Sequence, residues 1–136
     1  MFILNKHNVD NEEELIRQRI SSLSNNDKKS YYEKIENKIK DPDNYAVLNW
    51  FFLSGLHHFY LGRNIKGFIN LSISLISIIL FSFSVINILI FFILILIIFL
   101  IEIPQLFRSQ IIVQNYNNNV MDEELKIFEK DKKITE

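Results

Sequence analysis

No cysteine occurs in this chain, so disulfides are excluded and the redox compartment stays open. Charge of one sign is lacking too: 15 Lys and Arg stand against 16 Asp and Glu, for a net charge of −1. A general nucleic-acid binder is usually clearly basic, so that class is set aside. A signal peptide is not apparent, because the apolar run in "MFILNKHNVDNEEE" is short and acids follow at once. Catalytic patterns are missing as well: there is no nucleophile–base spacing, no phosphate-cradling glycine loop and no metal-ligand array. "HHFYLG" lacks the Glu between spaced histidines that a zinc-protease signature requires. The sequence therefore predicts a non-enzymatic protein with no catalytic residue, no cofactor and no metal.

What is present is apolar and unevenly placed. Between Phe68 and Ile101 lie 34 residues without one charged side chain. That is too long for a single crossing of about 20 residues and enough for two short ones. Gly67 to Phe83 and Ile86 to Ile103 form the two arms, and Ser82, Ser84 and Asn87 make the turn between them. Pro104 is expected to end or kink the second arm.

Ahead of the arms, "YAVLNWFFLSGL" (45–56) would be only about 16–18 Å long as a helix, roughly half a bilayer. Gly55 and Gly62 bracket a break there, "GLHHFYLG". Residues 1–45 hold eight Lys and Arg, 63–66 hold two and 108–136 hold five, while the turn at 82–87 holds none. The positive-inside rule then places both termini and the "RNIK" loop in the cytoplasm and the turn outside. A full crossing by 45–61 would put Arg63 and Lys66 outside, so a partial or re-entrant segment is preferred. Non-helical backbone at depth must be covered by protein or water, and the two arms are there to cover it.

The flanks read as amphipathic helices. In 10–24, Asp10 or Asn11 caps, and Ile16, Ile20 and Leu23 share a face. In 24–40, Asn26 or Asp27 caps, and Tyr31, Ile35 and Ile39 form a stripe. "DPDN" (41–44) breaks the chain. Val120 or Met121, Leu125 and Phe128 keep helical spacing near the end, with the Asn run 117–119 as an interruption. These stripes would pack on one another, on a partner or on the membrane surface.

"YAVLNWFFLSGLHHFYLGRNIKGFINL" resembles the TM-2 domain, a family named for two transmembrane helices. Gly55, His57, Phe59, Tyr60, Leu61, Gly62 and Gly67 fall on its glycine, "HRFYLG" and glycine pattern, and Glu102 falls near the family's Asp. The resemblance covers roughly residues 45–107, and "DPDNYAVLNW" and "EIPQLFRSQIIVQNYNN" are similar to a bacterial subgroup. The family's His-Arg pair is His57-His58 here, and its Asp is a Glu. The resemblance implies a membrane hairpin and no assigned reaction.

Two constellations stand out. His57, His58, Arg63 and Glu102 form a candidate intramembrane polar cluster. It is read first as structural, with Glu102 pairing with His58 or Arg63 or meeting loose amides at the break. The alternatives are a proton-responsive switch or a metal site, but adjacent histidines on a regular helix point about 100° apart, which is poor for joint ligation. Gly67, Asn70, Ser74 and Ser77 form a small-residue face, read as the contact between the arms, with an oligomer interface as the alternative. Tyr45, Trp50 and Tyr60 are read as interfacial anchors.

The expected architecture is an all-α membrane protein. Residues 1–44 supply cytosolic amphipathic helices, 45–107 the membrane domain with its broken segment and hairpin, and 108–136 a cytosolic C-terminal helix. The expected location is a bacterial inner membrane. The expected role is an adaptor or accessory subunit that binds a protein partner through its cytosolic helices, with a homo-oligomer also open. The alternative is a proton-responsive sensor or permeation element using His57, His58 and Glu102.

Overall fold

The computed structural model describes residues 4–84 and 86–135, with side chains up to Asp131. Among the described residues the chain is entirely helical, with seven α-helices and no strand. It divides into two compact units, one of 1–41 with 111–136 and the other of 42–110.

The first unit contains α1 (Lys6–Ser21), α2 (Asn25–Ile35) and most of α7 (Ser109–Thr135). Both N-terminal helices start earlier than their acidic residues suggest, because side-chain oxygens upstream take the free amides. Asn5 Oδ1 accepts from His7 N at 3.0 Å and opens α1, so Asp10 and Asn11 fall inside the helix. Ser24 Oγ accepts from Asp27 N at 3.3 Å and donates to Asp27 Oδ2 at 2.8 Å, a reciprocal cap for α2. The apolar stripes pack on one another: Ile16, Ile20, Tyr31, Ile35 and Leu125 form the core, with Leu23, Ile39 and Met121 against it.

The Asn run does not interrupt α7, which is continuous. Two of its three amides bond backbone of other segments. Asn117 exchanges two 2.9 Å hydrogen bonds with the Lys40 backbone, and Asn118 Nδ2 donates to Val9 O at 2.8 Å. Arg19 adds ion pairs to Asp122 at 2.6 Å and Glu129 at 3.0 Å.

The second unit contains α3 (Pro42–Trp50), a 3₁₀ turn (Phe52–Ser54), α4 (Leu56–Tyr60), α5 (Asn64–Ser82) and α6 (Ile88–Phe107). Pro42 opens α3, where a missing N–H costs nothing. The segment read as one short helix over 45–56 is three pieces, broken after Trp50 and again at Gly55. Gly55 and Gly62 both adopt the left-handed conformation, at φ 63° and 66°. Helices α5 and α6 are each long and apolar enough to cross a membrane. Pro104 does not end α6, which runs on to Phe107. Its ring removes one intrahelical bond, while Glu102 and Gln105 beside it are held by side-chain bonds. Part of the connection at 82–87 is described: Ser84 has φ 56°, and Asn87 Oδ1 caps α6 by accepting from Ile90 N at 2.9 Å. Residue 85 lies outside the described residues.

Candidate functional site: a buried carboxylate with four donors

Gly55 turns the chain so that α4 lies against α5 and α3. A Cβ at Gly55 would sit 2.9 Å from Gly67 O and 3.2 Å from Asn70 Cβ, so only glycine allows this approach. Gly67 in turn leaves room for the Phe59 ring, which a Cβ there would meet at 2.7 Å. Gly62 has open space around it and is used for its backbone conformation alone.

This packing carries His57 and His58 to Glu102 of α6. His57 Nε2 lies 3.0 Å from Glu102 Oε2 and His58 Nε2 lies 3.3 Å from Glu102 Oε1. Asn70 Nδ2 of α5 donates to Oε1 at 3.1 Å, and Gln105 Nε2 donates to Oε2 at 2.5 Å. Each carboxylate oxygen therefore meets two donors, which fills its lone pairs. Tyr45 OH donates to Gln105 Oε1 at 3.4 Å, and Asn49 Nδ2 donates to the Glu102 carbonyl at 3.4 Å. The Tyr45 ring meets His57 edge-on, with centroids 5.6 Å apart. All seven residues are buried, and Glu102 is 5% exposed.

The two histidines thus converge despite being adjacent. Helix α4 has five residues, the rings lie 4.0 Å apart at 43°, and each serves a different oxygen of one carboxylate. A carboxylate is acceptor-only when ionised, so each Nε2 facing it carries a hydrogen. The other ring nitrogens, His57 Nδ1 and His58 Nδ1, are buried with no hydrogen-bond partner, as is Asn70 Oδ1.

Arg63 is not among the hydrogen-bond or ion-pair partners of Glu102. It stands at the N-cap of α5, half-buried, with its backbone N–H donating to His58 O at 2.9 Å. Neutral amides occupy the places that charge-matching assigned to it. Asn70 shares a face with Gly67, Ser74 and Ser77 in the sequence pattern, and all four are buried on α5. Only Asn70 bonds across to another helix. Ser74 Oγ donates to Asn70 O at 3.0 Å and Ser77 Oγ to Ile73 O at 2.7 Å, both one turn back in the same helix. The Gly67 end of this face receives the broken segment rather than the second arm.

Sequence reasoning missed Tyr45, Asn49 and Gln105. Their signal was spacing: Tyr45 and Asn49 are four apart, and Gln105 is three beyond Glu102 on an otherwise apolar helix. Tyr45 is fully buried and is no interfacial anchor, Trp50 is 71% exposed, and Tyr60 is half-buried. No protein-family model matches the chain, and neither does any curated protein or solved structure.

Proposed function

We propose that α5 and α6 cross a bilayer as a hairpin, that the broken segment 45–61 is re-entrant, and that both termini are cytoplasmic. On this reading the protein is a small integral protein of a bacterial inner membrane, built like a TM-2 domain. It acts without catalysis, as an adaptor or accessory subunit whose terminal helical unit binds a partner.

The observation that carries the membrane reading is an inside-out distribution of side chains. On α5 the buried residues are Gly67, Asn70, Ser74 and Ser77, while Phe68, Ile69, Ile76 and Ile79 face outward and exposed. On α6, Glu102 and Gln105 are buried while Leu89, Phe92, Leu100 and Ile101 are exposed. Water would penalise that arrangement by about 25 cal/mol per Å² of apolar surface, whereas lipid does not. The lengths fit: 19 and 20 residues span about 28 and 30 Å, the thickness of a hydrocarbon core. The adaptor reading is supported by the self-contained core of the terminal unit, which leaves Leu15, Tyr32 and Ile127 outward on a folded surface.

The chain lacks cysteine, so any introduced thiol is the sole target of a maleimide. In intact spheroplasts an impermeant maleimide should label Ser84→Cys, and should label Leu15→Cys and Ile127→Cys only after lysis. Labelling of Ile127→Cys before lysis, with Leu15→Cys protected, would indicate three crossings and overturn the topology. Pull-down in mild detergent tests the adaptor role: a stoichiometric partner lost on Leu15→Glu or Tyr32→Glu is expected, and a pure preparation of this chain alone would contradict it.

A further inference from the structure

We propose that His57, His58 and Glu102 form a site for one divalent transition-metal ion of the zinc class. The inference stands on the geometry of the cluster and holds whether or not a partner binds the terminal unit.

Three side chains from two helices each offer a ligand atom, and those atoms lie within 4.8 Å of one another. Zinc binds nitrogen and carboxylate oxygen at about 2.0–2.2 Å, so neighbouring ligands of a tetrahedral ion are about 3.3–3.5 Å apart. The imidazole-to-carboxylate separations, 3.0 Å from His57 to Oε2 and 3.3 Å from His58 to Oε1, are each close to that edge length. Two histidines and one glutamate make a three-ligand set that leaves a fourth position for water.

The surroundings agree with this reading. Glu102 brings a negative charge into a buried site, and Asn70, Gln105, Asn49 and Tyr45 bring no formal charge, so the offset falls to the two histidines or to a bound cation. A divalent cation offsets it with both histidines neutral, the form in which imidazole ligates. Gln105 and Asn70 hold the carboxylate from outside, and Tyr45 holds Gln105, which is the outer shell that orients a metal-binding carboxylate. Binding at Nε2 displaces the hydrogen that each ring directs at Glu102, and a ligating imidazole then carries its hydrogen on Nδ1. Both Nδ1 atoms are buried and make no hydrogen bond, so a hydrogen placed there needs an acceptor, and Asn70 Oδ1 is a buried acceptor with no donor. The two imidazole nitrogens disfavour magnesium and calcium, which take oxygen ligands.

The test uses the full chain in mild detergent, stripped with a chelator and exchanged into Zn²⁺, Co²⁺ or Mg²⁺. Zn²⁺ should bind at one ion per chain and raise the melting midpoint, and Mg²⁺ should do neither. Co²⁺ should give the visible absorption of a four-coordinate ion. His57→Gln, His58→Gln and Glu102→Gln should each weaken Zn²⁺ by more than about 100-fold, the upper range for losing an outer-shell partner, and Gln105→Ala by about 10-fold. His7→Gln, which changes the exposed third histidine in the other unit, should leave binding intact. Absence of stoichiometric Zn²⁺, or binding lost with His7 and kept without Glu102, overturns the site. Should the ligand variants fail to fold, the wild-type Co²⁺ spectrum decides: four-coordinate bands at one equivalent support the site, and their absence overturns it.

Discussion

Glu102 and His57 are 45 residues apart in the chain and 3.0 Å apart in space, and that one contact ties the break after α3 to the end of the second long helix. A buried carboxylate without donors would bear the full desolvation penalty of a charged group. Here four N–H groups from α4, α5 and α6 satisfy it, so the cluster fixes how the three helices meet.

It follows that His57 should matter and Arg63 should not. His57 is fully buried and bonded to Glu102, whereas Arg63 is half-buried and bonds it nowhere. His57→Ala leaves both a cavity and an unpaired carboxylate lone pair, and should cost about 2–4 kcal/mol. Arg63→Ala should stay within about 0.5 kcal/mol. Thermal melting in detergent compares them; equal losses would restore the arginine to the cluster.

The two left-handed glycines should rank in a definite order. Alanine at Gly62 meets no neighbour and bears only the backbone strain, about 1–2 kcal/mol. Alanine at Gly55 bears the same strain and also sits 2.9 Å from the Gly67 carbonyl, so backbone must shift. Gly55→Ala should therefore melt well below Gly62→Ala. The reverse order would show that α4 does not press on α5 in this way.

Much of this was legible in the sequence, and the misses share one physical cause. The long apolar helices could be read because an uncharged run of 34 residues has few other folded uses. The break could be read because all three glycines fall between 55 and 67. The partners of Glu102 were less legible. Charge-matching nominated Arg63, but a buried carboxylate needs hydrogen-bond donors at short range, and Asn70 and Gln105 supply them without a second charge. Similarly, Asn117 to Asn119 look like a helix breaker in one dimension. The amides of Asn117 and Asn118 satisfy distant backbone at Lys40 and Val9, which only tertiary structure reveals.

The face of α5 offers a third comparison. Asn70→Ala deletes a bond between helices, worth about 0.6 kcal/mol and at most about 1.7 in membrane proteins, and strips Glu102 of one donor. Ser74→Ala and Ser77→Ala delete hydroxyls that bond their own helix, and should be nearly neutral. Denaturant titration of the three variants separates the cases. A serine variant as damaging as Asn70→Ala would mean that small-residue packing alone does not describe this face.

The terminal unit has its own signature at alkaline pH. Tyr31 is fully buried, and its hydroxyl donates to the Met121 carbonyl at 2.9 Å. Burial pushes its phenol up from the ordinary 10 to about 12, with Tyr32 and Glu124 adding to the rise. The folded state thus favours the neutral phenol. Its contribution is complete below pH 10, where the unfolded chain also keeps the proton. It fades as pH climbs from 10 to about 12, because the unfolded chain ionises first. Tyr31→Phe removes both the hydrogen bond and the ionisation. Below pH 10 the wild type should exceed Tyr31→Phe by about 1 kcal/mol. Between pH 10 and 12 that margin should shrink and then change sign, since only the wild type gains an ionised phenol on unfolding. Urea midpoints followed by circular dichroism, with both proteins in the same detergent, cancel the other groups that titrate in this range. A margin that stays constant from pH 8 to 12 would mean that the Tyr31 hydroxyl is not buried against Met121.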